Sequence, residues 1–170
     1  MKQKVVIIDT SILCAWLRVP GKETCGPDND RWDYQRTRDK IDEEIKQGAL
    51  LVLPMTTIIE SGNHIAQSVG DKHELVKRFA DHIEDTIDGS SPWVSFSQQS
   101  QLMTGDALRR MLAKWRSTAV GGQSLGDALI VEIADFYHNL GAEVEILTGD
   151  VGLKAYQPVV AQSLTPRRRR

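Results

Sequence analysis

This sequence is short of several features that would assign a class directly. It has two cysteines, Cys14 and Cys25, among 170 residues, too few for a disulfide framework or a four-cysteine zinc site. Cys14 reads as a small buried hydrophobe and Cys25 as a loop thiol, which makes a reducing cytoplasm the expected compartment. No apolar run approaches the roughly 20 residues of a membrane span. Residues 5–8 are four apolar positions stopped by Asp9, too few for a signal-peptide core, so no membrane association is expected. There is no phosphate loop of the Walker type, no Gly-x-Gly-x-x-Gly run and no serine-hydrolase elbow. A large excess of one charge is missing too: 21 Lys and Arg stand against 23 Asp and Glu, for a net charge of -2. Without the four arginines at 167–170, 17 basic residues face 23 acidic ones, leaving a body of -6. That is not a surface coated in cations to hold nucleic acid.

What is present looks like ordinary globular usage. Hydrophobic residues make up 41% and charged residues 26%, which excludes a disordered or collagen-like chain. The length suits one domain, expected over residues 1–164, with a disordered basic tail at 165–170. Residues 5–8 form an unbroken apolar run, the pattern of a strand covered on both faces. Thr10 and Ser11 open a short apolar helix at 12–17, followed by a Gly- and Pro-containing loop at 20–30 and an amphipathic helix at 31–47. Residues 49–53 read as a second strand. Helices are expected at about 56–69 and 72–87, a third strand at 93–96, and further helices at 106–115 and 125–140. A fourth strand is expected at 144–147 and a fifth, at an edge, at 159–161. Alternation of strands with helices implies right-handed crossovers. The expected fold is α/β, a three-layer α/β/α sandwich around a mostly parallel sheet of four to five strands.

Four acids fall at informative places on this map. Asp9 ends the first strand, Glu60 lies early in the helix after the second, Asp127 opens the late apolar helix, and Asp150 follows the fourth strand. In a parallel sheet the carboxyl ends of the strands share one edge, where ligands bind. Each acid also has a plainer reading. Asp9 or Thr10 would cap the next helix, Asp150 the turn after it, Ser124 and Asp127 have capping-box spacing, and Glu60 would face solvent. Short strings do not separate these readings, because Gly105-Asp106-Ala107-Leu108 repeats Gly126-Asp127-Ala128-Leu129. Context does: Asp106 leads into Arg109 and Arg110 and is assigned to a helix cap. Taken together, four clustered carboxylates repel. Two at about 4 Å do so by roughly 4 kcal/mol at an effective dielectric near 20. A hard divalent cation removes that cost, and all-oxygen ligands suit Mg²⁺ or Mn²⁺. One or two such ions would orient phosphate oxygens and activate water.

The pattern resembles the PIN-domain nucleases across nearly the whole chain. Val5-Val6-Ile7-Ile8-Asp9-Thr10-Ser11 looks like the opening strand and its metal-ligand Asp. Leu53-Pro54-Met55-Thr56-Thr57-Ile58-Ile59-Glu60 looks like the second motif, Leu125-Gly126-Asp127-Ala128-Leu129-Ile130 the third, and Ile146-Leu147-Thr148-Gly149-Asp150 the closing strand. The resemblance implies a metal-dependent endoribonuclease leaving 5′-phosphate and 3′-hydroxyl ends. Asp9, Glu60, Asp127 and Asp150 would be its acidic quartet, with Ser11 and Thr148 as supporting hydroxyls. Many bacterial members are toxins held by a small antitoxin, and many pair as homodimers, so RNA, an antitoxin or other inhibitory protein, and a second copy are the implied partners. The loop at 20–30 and the helix after it form a long insertion between the first two motifs.

Other residues are weighed against this frame. His64 lies on the face of Glu60 and reads as structural or surface, with Asn63 a weak water-positioning candidate. Arg109, Arg110, Lys114 and Arg116 make the one dense basic surface of the body, either an RNA-phosphate contact or a solvated face. The rival from a different class is a catalytically silent module binding RNA or a partner. A haloacid-dehalogenase phosphatase would need an acid where Ser11 stands, and a response-regulator receiver an acidic pair where Asp9-Thr10 stands.

Overall fold

The computed structural model describes residues 2–156 and 158. Three parallel strands make the sheet: β1 (Lys4–Ile8), β2 (Leu50–Val52) and β3 (Glu143–Leu147), in the order β2-β1-β3. Helix α1 (Thr10–Leu17) and helix α2 (Tyr34–Lys46) lie between β1 and β2. Helices α3 (Met55–Gln67), α4 (His73–Asp88), α5 (Gly105–Thr118) and α6 (Leu125–Asn139) separate β2 from β3, and the short α7 (Val151–Lys154) follows it. β1 is central, pairing Val6 with Leu51 on one side and with Glu145 on the other.

Its unbroken apolar run is explained by what lies on its two faces. Val6 and Ile8 pack with Ile12, Leu13, Leu17, Ile41, Leu51 and Leu53. Val5 and Ile7 pack on the opposite side with Val52, Ile130, Ile133, Tyr137 and Ile146. Alternate residues of a strand point to opposite faces, so burial of both requires every position to be apolar. Both faces exclude water, and β1 is the most deeply buried element of the chain.

The expected sheet of four to five strands is not what forms: the described residues hold three. The strand expected at 93–96 shrinks to one parallel bridge between Leu51 and Trp93, made by Leu51 N–H to the Pro92 carbonyl and Val94 N–H to the Leu51 carbonyl. A 3-10 stretch, Phe96–Met103, begins at once after it, with Ser95 at its start, so the backbone turns away before a ladder can extend. The edge strand expected at 159–161 and the tail at 165–170 lie outside the described residues.

Helix boundaries follow their caps. α1 opens at Thr10, as expected, with Asp9 accepting the Ser11 N–H, and it ends at Arg18, in the left-handed region (φ 56°) and over the Tyr34 ring. α2 begins three residues late. Trp32 is tied into an antiparallel bridge with Cys25, by bonds of 2.9 and 2.8 Å, and only then does Asp33 cap the helix. No helix among the described residues is long and apolar enough to cross a membrane.

Candidate active site at the carboxyl edge of the sheet

The three strands run in one direction, so their carboxyl ends share an edge, where Asp9 follows β1 and Asp150 follows β3. Asp9 follows β1 directly, and its N–H donates to the Leu147 carbonyl at 3.1 Å, which ties the ends of β1 and β3 together. Asp9 as a residue is 6% exposed, and its carboxylate receives two hydroxyls on the same oxygen. Ser11 donates to Oδ2 at 2.7 Å and Thr148 donates to it at 2.8 Å. These hydroxyls are themselves held. Ser11 Oγ accepts the Gly149 N–H at 3.1 Å, and Thr148 Oγ1 accepts the Asp150 N–H at 2.9 Å. The two motifs at the ends of β1 and β3 are thus one hydrogen-bonded unit, with Oδ1 of Asp9 left over.

Glu60 reaches the same edge from α3. Thr10 Oγ1 donates to its Oε2 at 2.8 Å and Thr56 to its Oε1 at 3.4 Å. α3 itself is docked on β1, since Thr57 donates to the Ile8 carbonyl at 3.0 Å. Asp127 belongs to a capping box at the start of α6: Ser124 Oγ accepts its N–H, and its Oδ2 accepts the Ser124 N–H. α6 approaches Glu60 so closely at Gly126 that a Cβ there would stand 2.5 Å from Glu60 Oε1 and 2.9 Å from Thr56 Oγ1, displacing those side chains. Asp150 caps α7, accepting the Leu153 N–H on Oδ1 at 2.8 Å.

The plainer reading of Asp9, Asp127 and Asp150 as caps is therefore correct as geometry, and it does not remove them from the site. A cap uses one carboxylate oxygen, and a carboxylate has two. Asp9, Glu60, Asp127 and Asp150 all line one cavity of about 300 Å³. No Lys or Arg among the described residues forms an ion pair with any of them. Ion pairs gather elsewhere, as where Lys4 and Lys40 hold Glu44 and Glu145 at 2.5–3.0 Å. Burial pushes the Asp127 carboxyl above its ordinary range. The hydrogen bonds from Ser124 oppose that shift, and the charges of Asp9 and Asp150 add to it. Among the described residues, no three His, Cys, Asp or Glu side chains converge closely enough to enclose a metal ion as they stand.

No family model, curated protein or solved structure matches this chain. Its site must be argued from its own residues.

Several of these were not singled out from the sequence. Lys22, Thr24 and Cys25, from the segment between α1 and α2, line the cavity alongside Thr10, Cys14 and His64. His64, expected to be structural, thus borders the acids. Burial pushes the Cys14 thiol up to about 11, with the Ser61 hydroxyl and the Lys22 charge opposing it. Burial raises the Cys25 thiol as well, with the Ser11 hydroxyl opposing. Gly149 makes room for this segment, because a Cβ there would lie 2.6 Å from Cys25 Sγ and 2.8 Å from the Gly26 nitrogen. One signal was available. α1 spans only about 12 Å at 1.5 Å per residue, so a loop leaving its far end can return along it to the edge where Asp9 sits.

The basic set on α5 is placed apart from the cavity. Arg109 is paired with Asp106 at 3.0 Å, and Lys114 with Glu132 at 2.6 Å and Asp135 at 3.7 Å. Arg110 and Arg116 are exposed. Thr104, not Asp106, supplies the cap of α5, accepting the Ala107 N–H at 3.3 Å.

Proposed function

We propose that the chain is a metal-dependent endoribonuclease of the PIN type, hydrolysing RNA phosphodiester bonds at the cavity bounded by Asp9, Glu60, Asp127 and Asp150. One observation carries this reading. Four carboxylates from four separate segments share a single cavity, and no cationic side chain among the described residues forms an ion pair with any of them. A protein with no ligand to place there would gain by pairing or replacing them, because clustered like charges cost stability.

The donor set fits a hard divalent cation, Mg²⁺ or Mn²⁺, one ion or two. It offers oxygens alone, and Asp9, Asp127 and Asp150 each keep an oxygen that no cap or hydroxyl occupies. Such a cation supplies Lewis acidity and a lowered pKa for an attacking water. The chain's own groups set the geometry. Ser11 and Thr148, both bonded to Oδ2, restrain the Asp9 carboxylate and leave Oδ1 without a hydrogen bond from either of them. Thr10 and Thr56 hold Glu60 against α6. Asp127 and Asp150 stand at the first turns of α6 and α7, where capping bonds restrict their rotamers.

The role of a toxin restrained by an antitoxin, and assembly as a homodimer, belong to the same proposal. The deciding experiment incubates the protein with structured and unstructured RNAs plus Mn²⁺ or Mg²⁺, with EDTA controls. Cleavage is expected only with the metal, and Asp9→Asn and Asp127→Asn are each expected to lose about a hundredfold or more of it. Cleavage in EDTA, or cleavage surviving both substitutions, overturns the mechanism. No cleavage of any RNA or DNA favours the silent binding module.

A further inference from the structure

The segment between α1 and α2 brings a cation to a cavity that is otherwise acidic. Lys22 is the one Lys or Arg among the described residues that lines it. It is exposed and pairs with no carboxylate among the described residues, although four border the same space. An unpaired ammonium beside unpaired carboxylates is a divided electrostatic site: one part attracts cations and the other an anion. A nucleic-acid phosphate beside a divalent ion has that same division of charge.

The backbone around Lys22 is built rather than loose. On one side Val19 is fully buried, and the Lys22 N–H donates to its carbonyl at 2.8 Å. On the other, Cys25 exchanges two backbone bonds with the buried Trp32, and the chain beside it presses on Gly149. Asp30 then ties the segment to α7 through Lys154 at 2.6 Å. Lys22 is therefore carried on a strap anchored to the same β3–α7 turn that presents Asp150.

We infer that Lys22 is the residue that holds a backbone phosphate of single-stranded RNA in the cavity, and that the strap from Val19 to Trp32 forms the wall along which the strand lies. This rests on the proposed nuclease reading and adds to it the residue that engages the substrate. Its contact is a point charge on a flexible stem, so it binds phosphate without selecting a base.

The test compares wild type with Lys22→Gln and Lys22→Arg, using Lys77→Gln on α4 as a control. Steady-state cleavage of a fluorogenic single-stranded RNA is measured with Mn²⁺. Binding of the same RNA is measured by fluorescence anisotropy across a salt series, with Ca²⁺ replacing Mn²⁺. Lys22→Gln is expected to raise KM and Kd by about tenfold, leave kcat within about twofold, and reduce the salt slope by about 0.7, the value of one phosphate on a single strand. Lys22→Arg should restore most of the affinity. If wild type cuts RNA and Lys22→Gln matches it in KM and salt slope, the inference fails and the nuclease reading stands. If wild type binds without cutting, the nuclease reading fails and the salt slope still decides Lys22. If wild type neither binds nor cuts, both are overturned.

Discussion

At the scale of single residues, the side chain most out of place is His82. It packs in a cluster of three rings, stacked on Trp16 at 4.5 Å and tilted against Trp93 at 5.5 Å, with the two tryptophans 6.3 Å from each other. Burial lowers its pKa. Asp85 and Asp81 pull the other way, and Arg78 reinforces the shift. The folded state therefore holds His82 neutral where the unfolded chain, near 6.5, begins to protonate. A depressed folded pKa contributes stability that is present above the unfolded value and lost as pH falls through the folded one. The unfolding free energy from urea titration should accordingly drop between neutral and mildly acidic pH, by at most about 1.4 kcal/mol per pH unit for one proton. His82→Phe, which keeps an aromatic ring against Trp16 and Trp93, should flatten that dependence. An unchanged slope in the variant would mean that other groups carry it. The same scale explains why the sequence left the four acids ambiguous. Asp9, Asp127 and Asp150 do cap helices, and no spacing rule says whether the second oxygen is also used.

At the scale of elements, the site depends on two turns that touch across the chain. The strap between α1 and α2 lies against the turn after β3 because Gly149 has no side chain. Gly149→Ala would put a Cβ 2.6 Å from Cys25 Sγ and 2.8 Å from the Gly26 nitrogen. The second neighbour is backbone and cannot rotate away. The substitution should destabilise by about 1–3 kcal/mol, as overpacking does, and should weaken RNA binding by displacing Lys22. An unaltered denaturation midpoint would show that the strap does not rest there. Elements carried by local pattern were legible from the sequence. The apolar run of β1, the capping box of α6 and the periodicity of α3 and α4 each have a local cause. Elements decided by tertiary contact were not. The stretch at 93–96 has the residues of a strand, yet its partner β2 offers only Leu51 for pairing before the chain turns. Trp32 has the company of a helix, yet its bridge to Cys25 delays α2. The strap over the acids was legible as a loop but not as a wall, because the contact that places it is made by an absent side chain at Gly149.

At the scale of the whole molecule, the charge balance and the site bear on one another. A body of -6 without its terminal arginines repels RNA at long range. Many of its acids are already spent on structure: Glu44 and Glu145 on Lys4 and Lys40, Asp30 on Arg36 and Lys154, Glu132 on Lys114. The four at the carboxyl edge have no cationic partner among the described residues, although three of them also cap helices. Two divalent ions at that edge would offset four negative charges and take the body from -6 to about -2, an electrostatic gain placed where a phosphate would sit. RNA binding should therefore depend on the divalent ion itself and not on ionic strength alone. Anisotropy titrations at matched ionic strength should give affinity about tenfold or more tighter with Ca²⁺ or Mn²⁺ than with EDTA, a difference of at least about 1.4 kcal/mol. Asp127→Asn should narrow that gap while leaving binding in EDTA as strong or stronger, since the variant carries one repelling charge fewer. Equal affinity with and without the divalent ion would place RNA binding away from the acids and remove the reason for reading their cluster as a metal site.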